Sequence, residues 1–372
     1  MNGLTGGQKK LRSFGKRTFP ALNLTSAVWR RILRLVSRAT PNQLPLSREL
    51  AAPANRSAAA TTRASLQVST VVVTYNSAGC IEACLKSLLR QERVSGEIIV
   101  VDNRSADNTV QIVRNCGPEI RLLANQSNIG FGRACNQGAD ISHGGFLYFL
   151  NPDAQFERPD GLSRLCQVME QNPSWGLAGT RVLSPAGTNE AAPATNYPSQ
   201  RHCRRDFSQL PGRIAWVLGA SMLVRREIFA ALGGFDPQFF LYSEETDLCL
   251  RIRQYGLEIG FVPEVTVRHI GQVSERGNDQ YQTRLRSMTG LHLFWVKHYP
   301  PDDVLRMVRR DWFRASFRRE WYGFMARFGG RGSRAWAKHR EYAAVSEASR
   351  RFLQSMPDNA SVGSRAQKPP AF

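Results

Sequence analysis

The feature that most constrains this chain is an alternation that begins at VSTVVVTY (68–75). Val and Thr branch at Cβ, stiffen at χ1 and suit a pleated sheet, so this run predicts a buried strand. The next segment, SAGCIEACLKSLLRQ (77–91), carries its apolar residues at helical spacing. EIIVVDN (97–103) predicts a second strand, and ADNTVQIVRNC (106–116) a helix with acids in its first turn. IRLLAN (120–125), GRACNQGADIS (132–142) and GFLYFLN (145–151) continue the pattern as strand, helix and strand. Such alternation implies an α/β fold: a mainly parallel sheet with helices on both faces. Ligands of these sheets bind beyond the carboxyl ends of the strands.

Polar clusters fall at three of those ends: Thr74-Tyr75-Asn76, Asp102-Asn103 and Asn151-Pro152-Asp153. One cluster alone reads as a turn, because Asn, Pro and Asp are turn residues. Three at successive strand ends point to a shared site. No GxGxxG follows the first strand and no GxxxxGK[ST] occurs, which disfavours a dinucleotide fold and removes a P-loop.

Charge sorts the chain into three parts. Of the formal net charge of +20, residues 1–66 hold +11 and residues 301–372 hold +8. That leaves 67–300 near neutral. A nucleic-acid-binding protein needs a basic face on its folded domain, so nucleic acid is not an expected partner. The seven cysteines show no CxxC spacing, which indicates neither a zinc site nor a disulfide framework. Cys80 and Cys84 read as small buried hydrophobes, and a reducing, cytoplasmic compartment fits. The basic N-terminus leads into no apolar secretory segment. The longest apolar run, Ile214 to Val224, is too short to span a bilayer and reads as core.

The expected organisation is a basic N-terminal extension (1–66), a central α/β domain (67–300) with halves 67–155 and 156–300, and a basic helical C-terminal extension (301–372). Within the first, SAVWRRILRLVSRA (26–39) has the pattern of an interfacial helix. In the last, Trp312, Phe313, Phe317, Trp321 and Phe324 stand among arginines, which suits peripheral contact with the inner face of a plasma membrane. The alternative is that these aromatics pack on the central domain. The polar stretch 184–210 is long for a connector and reads as a mobile acceptor or lid segment. YSEETDLCLRIRQYG (242–256) predicts a helix with Leu248, Ile252 and Tyr255 inward and Glu244, Glu245 and Asp247 crowded at its start. Acids complement a helix N-terminus, but that accounts for one or two, not three.

Six segments occur in an order that resembles family 2 glycosyltransferases, most of all a bacterial rhamnosyltransferase-like branch. They are VVVTYNSAGCIEACLKSLLRQ, IIVVDNRSADNT, NQSNIGFGRACNQG, FLNPDA, GASMLVRREIFAALGGFDPQFFLYSEETDLCLRIRQYG and VRHIGQVS. The resemblance covers roughly 68–300 and implies a GT-A fold, a nucleotide-diphosphate-sugar donor, a divalent metal (Mg²⁺ or Mn²⁺) and inversion at the anomeric carbon. It places Asp153 and His269 on the metal. The first carboxylate of the family's DXD motif is Asn151 here, one anion fewer. It also implies donor contacts from Thr74, Tyr75, Asn76, Asp102, Asn103, Arg133, Asn136 and Asn151, and an acceptor floor at VLGASMLVRRE, with Gly219 allowing close approach. The family's Glu-Asp is Glu244-Glu245 in this chain. The resemblance therefore makes Glu245 the general base, one methylene longer than usual, with Asp247 as runner-up. The implied donor is dTDP-rhamnose, with UDP-galactofuranose or a UDP-hexose as alternatives. The implied acceptor is a cell-envelope glycan or lipid-linked sugar. An inactive scaffold with the same fold is disfavoured by the presence of Asp153, Glu245, Asp247 and His269.

Overall fold

The computed structural model describes residues 67–184, 186–187, 189–269 and 280–356. The proposed helix at 26–39, the Ala/Ser-rich stretch 51–65 and the end of VRHIGQVS lie outside these residues. The described residues up to Leu353 belong to one compact unit.

Its first half follows the alternation. Strands β1 (Val68–Thr74), β2 (Gly96–Asp102), β3 (Ile120–Ala124) and β4 (Phe146–Leu150) alternate with helices α1 (Ile81–Leu89), α2 (Thr109–Cys116) and α3 (Phe131–Asp140). The four strands lie parallel in the order β3-β2-β1-β4. The period-2 rule is visible in single strands. Val68 and Val72 of β1, with Tyr148 and Leu150 of β4, face one core under α1. Val71, Val73, Leu147 and Phe149 face the other, under α3. Cys80 and Cys84 are buried, as small hydrophobes. One detail differs from expectation: α2 has no acid in its first turn. Asp107 sits just before it and accepts the Thr109 N–H at 3.1 Å.

The second half changes direction. After β5 (Ala154–Phe156) and α4 (Gly161–Gln171) come β6 (Trp175–Leu183), β7 (Asn189–Ala191), β8 (Ser221–Arg225) and α5 (Arg226–Ala231). Helix α6 (Glu244–Gln254) and β9 (Glu258–His269) follow. The sheet continues β4-β8-β6-β9-β5, with β7 beside β6. Strand β8 enters antiparallel to both β4 and β6, while β6 and β9 are parallel. The sheet is therefore parallel in its first half and mixed beyond it. The apolar run 214–224 is mostly buried, and its end forms β8. In α6, Leu248 and Ile252 face inward as predicted, but Tyr255 is 56% exposed. It is the C-cap, past the last turn that packs.

The stretch 184–210, expected as a mobile acceptor or lid segment, is anchored from Tyr197 onward. Buried Arg253 donates to the carbonyls of Pro211 (2.8 Å), Leu210 (3.2 Å) and Gly212 (2.9 Å) and to the Tyr197 hydroxyl (3.0 Å). Trp295 and Tyr299 both donate to the Pro198 carbonyl. Polar composition misled because the loop's anchors are a few aromatics and a distant guanidinium. Three helices close the fold: α7 (Gln280–His298), α8 (Pro301–Gly329) and α9 (Arg334–Ser355). Leu285, Met288, Ala315, Ala344 and Val345 form a small core among them.

Candidate active site

Strand register assembles the site. Thr74 pairs with Asp102, and Val72 with Leu150, so the ends of β2, β1 and β4 finish together. At the β1–β2 end, Asp102 is buried and accepts hydrogen bonds from the Thr74 hydroxyl (2.7 Å), the Ser105 hydroxyl (2.6 Å) and the Ser105 N–H (2.8 Å). Asn76, exposed with φ +50°, donates its N–H to Ser105 Oγ and accepts from the Ala106 N–H, both at 2.8 Å. Tyr75 is half-buried beside it. Ser105 is thus the hub of this corner, and no spacing rule singled it out.

Asn103 and Asn136 are engaged elsewhere than the sequence suggested. Asn103 donates to the Gly130 carbonyl (3.2 Å) and accepts from Asn125 (3.0 Å), fixing the entry to α3. Asn136 grips the Phe235 backbone at both ends of its amide, at 2.8 and 2.9 Å. Arg133 is exposed and donates through Nε to the Pro237 carbonyl at 2.7 Å. These three residues tie α3 to its surroundings, two of them to the segment that leads into α6.

The turn Asn151-Pro152-Asp153 is clamped to the end of β9, because Ala154 pairs with His269. Asp153 Oδ1 lies 3.1 Å from His269 Nε2, and Asn151 Nδ2 lies 3.4 Å from the same nitrogen. Asp153 is buried, 6% exposed. This is a compact set of one carboxylate, one imidazole and one amide. Among the described residues no group of three His, Cys, Asp or Glu side chains could hold a metal. The set therefore fits a hard divalent cation only if the ligand it serves supplies most of the oxygens. Mg²⁺ accepts that arrangement, with phosphate oxygens completing the shell.

One backbone link joins this turn to the acidic helix. The Asn151 N–H donates to the Ala220 carbonyl at 3.0 Å. Next to Ala220, Gly219 lies so close to Glu245 that an added Cβ would stand 3.3 Å from the Glu245 Cβ. The missing side chain at 219 is what lets Glu245 lie along this edge. Behind it, Tyr148, Ser221 and Thr180 form a buried hydroxyl chain with both links at 2.7 Å, which pins β4, β8 and β6 together.

The three acids of α6 occupy different environments. Asp247, 1% exposed, accepts from Arg251 Nε at 2.7 Å and lies 2.7 Å from His298 Nε2. Burial raises its pKa, but the His298 hydrogen bond and the Arg251 charge prevail and hold it below the ordinary carboxylate value. Glu244 is 5% exposed, and its Oε2 has no hydrogen-bond partner. Burial first, then the Glu245 and Asp247 charges, push its pKa well up. Glu245 is half-buried. Its pKa is raised by burial, against the pull of the nearby Glu245, Thr246 and Ser243 N–H groups. The backbone entering α6 is strained: Tyr242 and Ser243 both have φ +71°, a region that costs a non-glycine residue of order 1 kcal/mol or more. Gly290 of α7 accommodates it, since a Cβ there would fall 2.3 Å from the Tyr242 carbonyl oxygen. His298 and Gly290, both on α7, were invisible to motif reading. Arg251 was detectable, as the i+4 partner of Asp247.

This sheet edge joins the Asn151-Pro152-Asp153 turn to an acidic helix, and two family models place the chain among sugar-transferring enzymes. The glycosyl transferase family 2 model matches residues 69–233, and the glycosyl transferase family group 2 model matches 157–332. The chain belongs to glycosyltransferase family 2 and is a rhamnosyltransferase-like glycosyltransferase. Over 232 residues it is 28% identical to an N-acetylglucosaminyl-diphospho-decaprenol L-rhamnosyltransferase of Mycobacterium tuberculosis, covering 54% of this chain and 74% of that protein. It is 24% identical over 185 residues to the O-antigen chain rhamnosyltransferase WbaN of Salmonella anatum, covering 48% and 58%. Among solved structures it is similar to a mannosyltransferase from Pyrobaculum calidifontis in complex with GDP-Man and Mn²⁺. That match has a TM-score of 0.47 and 18% identity, over 92% of this chain and 88% of the other.

Proposed function

We propose that the protein is an inverting, metal-dependent transferase. It moves a sugar, rhamnose from dTDP-rhamnose in the best-supported case, to a glycan or lipid-linked acceptor of the cell envelope. The observation that carries the reading is the short path from Asp153 through Asn151, Ala220 and Gly219 to Glu245. It sets a cation-suited turn and a half-buried carboxylate, held by backbone N–H groups at the start of α6, on one sheet edge.

In this reading Thr74, Tyr75, Asn76 and Asp102 line the nucleotide pocket. Asn103, Asn136 and Arg133 shape it through the backbone they hold. Asp153 and His269, with Asn151 beside them, would hold Mg²⁺ or Mn²⁺, which when bound neutralises charge on the departing diphosphate. Glu245 takes the proton of the acceptor hydroxyl as its oxygen bonds to the anomeric carbon from the face opposite the leaving group. The raised pKa suits a base that must be deprotonated yet retain affinity for a proton. Asp247, already hydrogen-bonded to Arg251 and His298, orients α6 instead. Glu244, buried beneath the edge, serves in its neutral form.

The test is a screen of nucleotide sugars for metal-dependent hydrolysis and transfer. dTDP-rhamnose should be turned over at least about tenfold faster than UDP-hexoses, the discrimination a few lost contacts give. Preference for UDP-galactofuranose or a UDP-hexose would replace the donor and keep the chemistry. No turnover of any nucleotide sugar would remove the enzyme reading.

A further inference from the structure

A second site lies away from the sheet edge, at the foot of α8. A cavity of about 400 Å³ is lined by Arg201, His202, Arg204, Arg306, Arg310 and Arg314, with Cys203 and Met307. Its acids are fewer than its arginines. Asp303 pairs with Arg204 (2.8 Å) and Arg306 (2.6 Å), Asp302 with Arg204 (3.6 Å), and Asp311 with Arg310 (3.0 Å). Among the described residues Arg201 and Arg314 have no carboxylate partner. His202 sits in this field: burial first, then the Arg310, Arg201 and Arg314 charges, lower its pKa. Five guanidinium groups around one cavity form a receptor for a phosphate-type anion.

The same helix continues outward as an aromatic stripe. From Arg306 and Arg310 the spacing runs on in threes and fours through Phe313, Phe317, Trp321, Phe324 and Phe328, which places them on one face. The inward face is Val304, Met307, Val308, Ala315 and Ala326. The aromatics are not packing residues: Phe313 is 70% exposed, Phe317 68%, Trp321 57% and Phe328 76%. Neighbouring Arg309, Arg327 and Arg331 are exposed as well. No helix among the described residues is long and apolar enough to cross a membrane.

We infer that this face of α8 docks on an anionic phospholipid bilayer, with the arginine cavity taking a lipid phosphate and the aromatic stripe entering the headgroup region. A second copy of the chain fits less well, because two such faces would bring their arginines together. A bilayer offers what the stripe lacks, apolar depth beside a row of phosphates. This surface would hold the catalytic edge near a lipid-linked acceptor, but the inference stands on the geometry of α8 alone and does not depend on which sugar is moved.

The experiment is co-sedimentation of the full chain with vesicles of phosphatidylcholine, with and without phosphatidylglycerol. The full chain should bind the anionic vesicles and release in high salt. Arg201→Gln with Arg314→Gln should weaken that binding by about tenfold or more, at several-fold per arginine. Phe317→Ser with Trp321→Ser and Phe324→Ser should weaken it at least as much, and metal-dependent donor hydrolysis should be unchanged in both variants. Overturning results are no binding by the full chain, or undiminished binding by both variants, which would assign attachment to the basic N-terminal residues. So are a stripe-dependent dimer in analytical ultracentrifugation, and saturation of the cavity by inorganic pyrophosphate with vesicle binding untouched by the arginine changes.

Discussion

The two sides of the sheet edge proposed as the active site, a proposed donor side and a proposed acceptor side, are held together in different ways. On the donor side, Thr74, Asp102 and Ser105 bond to one another across adjoining strands and the turn that follows them. On the acceptor side, the strained entry to α6 is held from far along the chain. His298 reaches Asp247 across 51 positions, and Gly290 makes room for the Tyr242 carbonyl. A local network keeps its geometry when one distant helix moves, whereas a remote one does not. The contrast teaches where substitutions should act: on the donor side near their own position, and on the acceptor side from α7.

The largest expected effect tests the donor side. Chelation with EDTA should abolish transfer, and Asp153→Ala should lower it by about a thousandfold, the several kcal/mol a bound cation contributes to developing phosphate charge. Excess Mn²⁺ should restore the chelated enzyme and not the variant. Full transfer in chelator would take Asp153 and His269 out of the site.

The next test breaks the acceptor-side brace. His298→Ala leaves Asp247 buried with one partner fewer, and unfolding should become easier by about 2 kcal/mol, within the range for a hydrogen bond to a charged group. The pH dependence has a definite sign. Asp247 is held below the ordinary carboxylate value in the folded chain, so its stabilisation is complete above the unfolded pKa and is lost as pH falls through the folded one. Urea melts of wild type and Asp247→Asn should differ at pH 7 and in mild acid and converge only as the pH is taken below the ordinary carboxylate range. Parallel pH profiles would show that the carboxylate charge contributes nothing.

A smaller effect should follow from Gly290→Ala. The new methyl displaces the Tyr242 carbonyl and shifts the start of α6, so kcat should fall about tenfold, well within the cost of a misplaced catalytic group. Donor KM should hardly change, because the β1–β2 corner is untouched. A loss confined to KM would mean that the two sides are not separable. The smallest effect belongs to Asn103→Ala. Losing its buried hydrogen bonds to Gly130 and Asn125 should cost about 1–2 kcal/mol of stability and leave donor KM within about threefold. A tenfold rise in KM would return Asn103 to direct donor contact.

These asymmetries also explain what could be read from the sequence. The parallel half was legible because a buried strand and a packed helix each impose a period on neighbouring residues, as in Val68 to Val73. The turn at Asn151-Pro152-Asp153 was legible because a strand stops where its polar residues begin. The mixed half was not, since nothing within SMLVR says that β8 runs against β4 and β6. The aromatic anchors of 184–210 were hidden for the same reason. Tyr197 and Pro198 look like loop residues until Arg253, Trp295 and Tyr299 stand beside them. Among the acids of α6, the family resemblance favoured Glu245, but the residues themselves supplied three carboxylates and no physical means to separate them. Separation came from burial and from His298.

In the proposed mechanism Glu245, lying against Gly219, takes the acceptor proton while Asp247 only orients the helix. The most direct measurement is kcat per folded molecule, as a function of pH, for wild type, Glu245→Gln and Asp247→Asn at saturating donor and metal. Wild-type kcat should fall in acid with a midpoint above the ordinary carboxylate range, because burial raises the Glu245 pKa and the base works only when deprotonated. Glu245→Gln should lose at least about a hundredfold in kcat and the acid limb with it, with donor binding intact. Asp247→Asn should keep the limb and most of the rate. The account is contradicted if Glu245→Gln stays within about threefold of wild type while Asp247→Asn, fully folded, loses both the rate and the limb.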